Sequence, residues 1–165
     1  MIKVGILTVS DKGARGERED LSGIAIRESL SGADYSIIDY DIVSDDRELI
    51  AERLVRWADK DAADVILTTG GTGLTPRDVT PEATLAVVDK LVPGFAEAMR
   101  SESLKKTPMA MLSRAVVGTR GRCLIINLPG SPKAVRECLE VILPALPHAV
   151  ETLRGEAGDC GAVQA

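Results

Sequence analysis

The chain has 165 residues, 45% hydrophobic, 27% charged and only 2% aromatic, with a formal net charge of −5. A domain of this length can bury roughly 70% of the surface its unfolded chain exposes, so one core suffices. The acidic balance excludes an electrostatic footprint for nucleic acid, and Trp57, Phe95, Tyr35 and Tyr40 are too few aromatics to stack bases.

The apolar share is almost all Ala, Val, Ile and Leu, which suits buried parallel strands covered by helices. Met1 leads straight into Ile2, Val4, Ile6 and Leu7 without a basic n-region, so no signal peptide is expected. No apolar run approaches the ~18 residues of a membrane span. Cys123, Cys138 and Cys160 are odd in number and form no C-x-x-C pair. Packed free thiols at 123 and 138, an incidental one at 160 and a reducing, cytoplasmic compartment are expected.

In chain order, residues 2–9 form a buried strand, followed by a charged loop at 10–20 that is too polar to pack. Residues 21–30 give a short helix ended by Ser31-Gly32, and 35–43 a second strand. Asp45 or Asp46 caps the next helix, whose apolar face is Ile50, Leu54, Trp57 and Ala58. Residues 64–69 form a short aliphatic strand that runs directly into Gly70-Gly71-Thr72-Gly73. Thr80-Pro81-Glu82 has the form of a helix start, with a capping hydroxyl, proline at the first helical position and an acid in the first turn.

Val92-Pro93-Gly94 breaks that helix and residues 95–105 form another. Residues 115–117 and 122–127 read as two strands across a turn at 118–121. Ser131-Pro132 opens a last helix with a core face of Val135, Cys138, Leu139, Ile142 and Leu146, kinked or ended by Pro144 and Pro147. The alternation predicts a three-layer α/β/α sandwich, mostly parallel, with a short antiparallel excursion at 115–127. One domain spans 1–155, and 156–165 form a loosely ordered tail. Ligands on such sheets bind at the carboxyl ends of strands, so the loops after Val9, Thr69 and Leu128 should converge on one rim.

Gly70, Gly71, Thr72 and Gly73, between a strand and a helix, offer bare amides to phosphate or make a plain tight turn. They match neither standard nucleotide motif, since no lysine lies between Gly70 and Thr80 and proline stands at 76. Asp78, next to Arg77, would serve a magnesium ion held with phosphate oxygens, or would close an Asx-turn. Ser10, Asp11 and the Pro129-Gly130-Ser131-Pro132 segment could contact ligand oxygens or act as turn chemistry. His148 is the only histidine, with no partner for a triad evident. Hydrolysis or alcohol activation usually needs a general base, whereas a phosphate monoester with a second ionisation near pH ~6 is already a nucleophile.

The segment TTGGTGLTPRDVTPEAT, 68–84, resembles the signature of the MogA/MoaB family of molybdenum-cofactor biosynthesis proteins. The resemblance extends through ILTVSDKGARGEREDLSG at 6–23, PGFAEAMR at 93–100 and LIINLPGSPKAVRECLE at 124–140. It implies an α/β/α enzyme, commonly a homotrimer, that binds molybdopterin and ATP. Such an enzyme places AMP on the terminal phosphate of molybdopterin, releases pyrophosphate and prepares the pterin for a separate molybdenum-insertion protein.

The resemblance also implies that Asp45 and Asp78 are catalytic and hold Mg2+. Ser10, Asp11, Gly70, Gly71, Thr72, Gly73, Ser113, Pro129, Gly130, Ser131 and Pro132 would line the nucleotide and pterin site, with Ser113-Arg114 toward the pterin. The family often has proline before its first aspartate where Ser44 stands here, so Asp45 and Asp46 are both candidates for that acid. A pterin-binding or carrier module with little catalysis is the alternative within the same family.

Overall fold

The computed structural model describes residues 1–32 and 34–156. Six strands form one sheet in the order β2-β1-β3-β6-β5-β4. Strands β1 (Ile2–Val9), β2 (Tyr35–Val43), β3 (Val65–Thr69) and β6 (Cys123–Leu128) run parallel. Strands β5 (Val117–Arg120) and β4 (Lys90–Leu91) complete the other edge in antiparallel register.

The parallel strands are nearly continuous aliphatic runs because both faces are covered. Ile6, Leu67 and Ile126 point to one face, where they meet α2 (Leu21–Ser29), α5 (Pro93–Leu104), α6 (Pro132–Ile142) and α7 (Leu146–Arg154). Their neighbours Leu7, Ile66 and Ile125 point to the other, against α3 (Arg47–Asp59) and α4 (Thr80–Leu85). This alternation with a period of two makes the three-layer α/β/α sandwich. Trp57 is fully buried on α3, and Gly5 makes room for it: a Cβ at Gly5 would lie 2.7 Å from the indole. Trp57 Nε1 donates to Asp39 Oδ2 at 2.9 Å, so the buried ring keeps a polar partner.

Several boundaries differ from the sequence reading. Residues Asp11–Ala14 form a short helical turn, α1, because the Ser10 Oγ accepts from Gly13 N at 3.0 Å. Helix α4 ends at Leu85, and a two-residue strand at Lys90–Leu91 follows, a pairing that only the distant β5 can supply. Strand β5 begins at Val117 rather than 115, and Pro108–Leu112 form an unforeseen 3-10 turn. Pro144 falls in a second 3-10 turn, Leu143–Ala145, which separates α6 from α7. Cys123 and Cys138 are buried free thiols, and burial pushes the Cys123 thiol up to about 12. Cys160 and the expected tail from 157 onward lie outside the described residues.

Candidate functional site

Leaving β1, the chain crosses to β2 on one side and later to β3 on the other, so a crevice opens at the carboxyl ends of β1 and β3. The segments after Val9, Val43, Thr69 and Leu128 gather there around two cavities. The first, about 620 Å³, is lined among others by Ser10, Asp45, Gly70, Ser131 and Pro132. The second, about 450 Å³, is lined among others by Thr72, Gly73, Ser113 and Pro129. Gly71, Asp78 and Gly130 belong to both, forming their common wall.

The glycine loop has this shape for steric reasons. Gly70 (φ +94°) and Gly71 (φ +66°) occupy left-handed backbone, and a Cβ at Gly70 would collide with the Val9 carbonyl. A Cβ at Gly73 would lie 2.9 Å from Asp78 Oδ2, so the absent side chain lets that carboxylate lie against the loop. The sequence points to Thr80 as the cap of α4; instead Val79 stands at the cap and the Thr80 hydroxyl donates to Gly70 O at 2.9 Å. Thr69 Oγ1 donates to Pro129 O at 2.6 Å and Gly70 N to Leu128 O at 3.3 Å, tying the loops after β3 and β6 together.

Capping separates Asp45 from Asp46. Asp46 Oδ1 accepts from Glu48 N at 2.9 Å and Leu49 N at 3.0 Å, which makes it the N-cap of α3. Asp45 is left to line the first cavity with Asp78. Burial raises the Asp45 carboxyl above the ordinary range, and the charges of Asp11 and Asp78 add to that against the Asp11 amide and Arg77.

Asp78 Oδ2 accepts from Thr75 N at 2.8 Å, a local turn contact beside its place on the common wall. Asp11 lines neither cavity. It exchanges hydrogen bonds with Asp45 (2.9 and 3.0 Å) and receives both Nε and Nη2 of Arg77 at 3.0 and 2.9 Å. The hydrogen bond from Arg77 is the main reason its carboxyl lies below the ordinary value.

Three residues important to the rim were missed or misplaced in the sequence reading. Arg114, expected toward the pterin, lines neither cavity. Its guanidinium donates to Gly73 O at 2.7 Å, to Asp78 O at 2.8 Å and to the Glu82 carboxylate, and its backbone N–H reaches Thr72 O at 2.9 Å. Asn127, fully buried, donates to Thr68 Oγ1 (3.0 Å) and Thr84 Oγ1 (2.9 Å) and accepts from Val116 N at 3.2 Å.

Asp20 caps α2 and floors the first cavity. Its oxygens accept from Thr8 Oγ1 (2.6 Å), the Tyr40 hydroxyl, Ser22 Oγ (3.0 Å) and Gly23 N (2.9 Å). Burial works to raise the Asp20 carboxyl, but those donors outweigh it and hold it low, while the Tyr40 hydroxyl is pushed up by burial and by Asp20. No single one of these residues stands out in sequence, because each has partners 10 or more positions away that the sequence does not place beside it. His148 lies on α7, exposed, 4.0 Å from Glu151, and lines neither cavity.

Fold and rim together define an α/β protein with two ligand cavities meeting at a glycine-rich, acidic wall. A family profile described as a probable molybdopterin binding domain matches residues 5–148. A molybdopterin adenylyltransferase of Helicobacter pylori (strain J99) is 49% identical over 156 residues, covering 93% of this chain and 89% of its own. That of Escherichia coli K12 is 40% identical over 146 residues, covering 87% and 75%. The solved structure of the molybdopterin biosynthesis enzyme MoaB from Thermus thermophilus superposes with a TM-score of 0.89 at 57% identity, covering 94% of this chain and 98% of that one. The chain belongs to the molybdopterin-binding MogA/MoaB family of molybdenum-cofactor biosynthesis proteins.

Proposed function

We propose that this protein is a molybdopterin adenylyltransferase, joining AMP from ATP to the terminal phosphate of molybdopterin. The observation that carries this reading is the common wall: Gly71, Asp78 and Gly130 border both cavities, so the phosphate ends of two ligands would meet there. The similarity to adenylyltransferases of H. pylori and E. coli supports it.

In the reaction, an oxygen of the pterin's terminal phosphate attacks the α-phosphorus of ATP. The new P–O bond forms as the bond to the β-bridging oxygen breaks, and pyrophosphate leaves with that electron pair. No proton need be removed from the nucleophile, which agrees with a rim lined by carboxylates and amides and with His148 placed away from it. The protein's contribution is alignment. The loop fixed by Gly70, Gly71, Thr72 and Gly73 presents backbone amides to the phosphates, and Ser10, Ser131, Pro129 and Pro132 border them.

Magnesium fits this wall. Among the described residues no three or more His, Cys, Asp or Glu gather to hold a metal alone. Asp45 and Asp78 would share the ion with phosphate oxygens, and the raised Asp45 carboxyl, with Arg77 already committed to Asp11, leaves the wall short of positive charge. The ion would supply neutralisation of the phosphate charge that builds as pyrophosphate departs.

A homotrimer is part of the same proposal, supported by exposed Leu85 and Leu91 beside the antiparallel edge. A cytoplasmic location is supported by the free thiols Cys123 and Cys138. Hand-over to a molybdenum-insertion protein would follow. ATP labelled at the α-phosphate tests the reaction: label should appear in the pterin product. The alternative is a pterin-binding or carrier module with little catalysis. It predicts pterin binding with the label remaining in ATP.

A further inference from the structure

The opposite end of the sheet holds a third cavity, about 480 Å³, that shares no lining residue with the two at the rim. Lys3, Asp64 and Cys123 line it and stand level at the amino ends of β1, β3 and β6, where Asp64 N donates to Lys3 O and Leu124 N to Asp64 O, both at 2.9 Å. Alanines at 58, 62 and 63 line it from the end of α3 and just beyond. Arg122, Arg154 and Glu156 complete the lining, so three cations and two carboxylates meet there.

The charges of this cavity are unevenly spent. Asp64 accepts from Lys3 N at 2.8 Å and from Arg154 Nε and Nη2 at 3.1 and 2.7 Å, and Glu156 lies 3.8 Å from Arg154 Nη1. Both carboxylates are therefore committed to one arginine. The Lys3 ammonium and the Arg122 guanidinium, on exposed residues, have no acid partner among the described residues. Nearby arginines that serve the fold do have one: Arg120 is held by both oxygens of Asp59 at 2.9 and 2.7 Å, and Arg56 pairs with Asp61 at 3.4 Å. In a chain of net charge −5 acids are plentiful, so two bare cations lining one cavity give it a local field that favours an outside anion.

We propose that this cavity is a further ligand site, for a small phosphorylated molecule whose phosphate is held between Lys3 and Arg122. Strand β3 separates β1 from β6, so at ~4.8 Å per strand the backbones that carry the two cations lie roughly 10 Å apart. Two long side chains span that gap around one tetrahedral oxyanion, the arginine offering a planar fork and the lysine a point charge. An inorganic phosphate fills only part of the cavity, and the three alanines leave an apolar wall for a compact organic group. The site is independent of the adenylyltransferase reading.

Inorganic phosphate, titrated into the isotope-labelled full chain and followed by NMR, tests this residue by residue. The backbone amide signals of Ala63, Asp64, Arg122 and Cys123 should shift and saturate in wild type, while sodium chloride at matched ionic strength should leave them in place. Because these amides lie at the far end of the sheet, phosphate bound at the glycine loop does not enter the readout. Lys3→Gln and Arg122→Gln alter exposed side chains and should keep the fold, yet each should need about tenfold or more phosphate for half saturation. Arg122→Lys should recover part of that loss. Signals that stay still in wild type, that move equally with chloride, or that titrate alike in wild type and both glutamine variants would overturn the site. The last result, with the thermal midpoint lowered in both variants, would mean that Lys3 and Arg122 only neutralise the carbonyl ends of α3 and α7.

Discussion

Asp45 and Asp78 both line the first cavity yet differ in what the fold asks of them. Asp45 is part-buried, and burial with the nearby charges of Asp11 and Asp78 raises its carboxyl, a placement that costs stability when the site holds no cation. Asp45→Asn is expected to abolish adenylyl transfer while leaving the thermal midpoint unchanged or higher, measured by calorimetry without magnesium. Added Mg2+ with an ATP analogue should raise the midpoint of wild type and not of the variant.

Asp20 is the opposite case, a carboxylate whose charge is stabilised by four donors. Its folded pKa lies below the unfolded value of 3.8, so its contribution is present above that value and is lost as pH falls through the folded one. Asp20→Asn should cost about 1–2 kcal/mol near neutral pH, allowing for solvent screening at a part-exposed site. It should also flatten the acid limb of a urea-unfolding series.

At the scale of elements, the rim depends on one cation gripping a loop from behind. Arg114 holds both Gly73 O and Asp78 O, the two ends of the excursion that carries Asp78, and Glu82 fixes the guanidinium from α4. Lysine has the charge but not the planar fork. Arg114→Lys should therefore lower kcat about tenfold or more with little change in far-UV circular dichroism, and Arg114→Ala should regain part of the loss when free guanidinium is added. Gly71→Ala forces a Cβ into left-handed backbone against the Thr80 hydroxyl, and should cost about 1–3 kcal/mol in urea unfolding.

The parts of this rim that were legible in sequence are those set by local chemistry. The aliphatic runs of β1, β3 and β6 show through because both faces of those strands are buried, and Gly70-Gly71-Thr72-Gly73 shows through because positive φ needs glycine. Asp45 could not be told from Asp46, since either could cap α3 until the geometry at Glu48 and Leu49 is known. Thr80 misled for a related reason: Thr-Pro-Glu is good capping chemistry, but a tertiary acceptor, Gly70 O, took the hydroxyl. Arg114, Asn127 and Asp20 stayed silent because each depends on partners from distant elements, Thr8 and Tyr40 in the case of Asp20.

For the molecule as a whole, the sheet order 2-1-3-6 opens a crevice between β1 and β3, and the loops from four strand ends place two cavities on either side of one wall. The layers beneath are aliphatic and closely packed, with Trp57 seated on Gly5, so the rim is carried by a rigid base and alignment can do most of the catalytic work. On the proposed reading function and fold meet at Asp78, the one acid among the described residues that borders both cavities. The most direct measurement is pyrophosphate release from ATP and molybdopterin in the presence of magnesium, comparing the wild-type chain with Asp78→Ala. The account predicts release by wild type in proportion to adenylylated pterin, and none above background from a folded variant; equal release from both would contradict it.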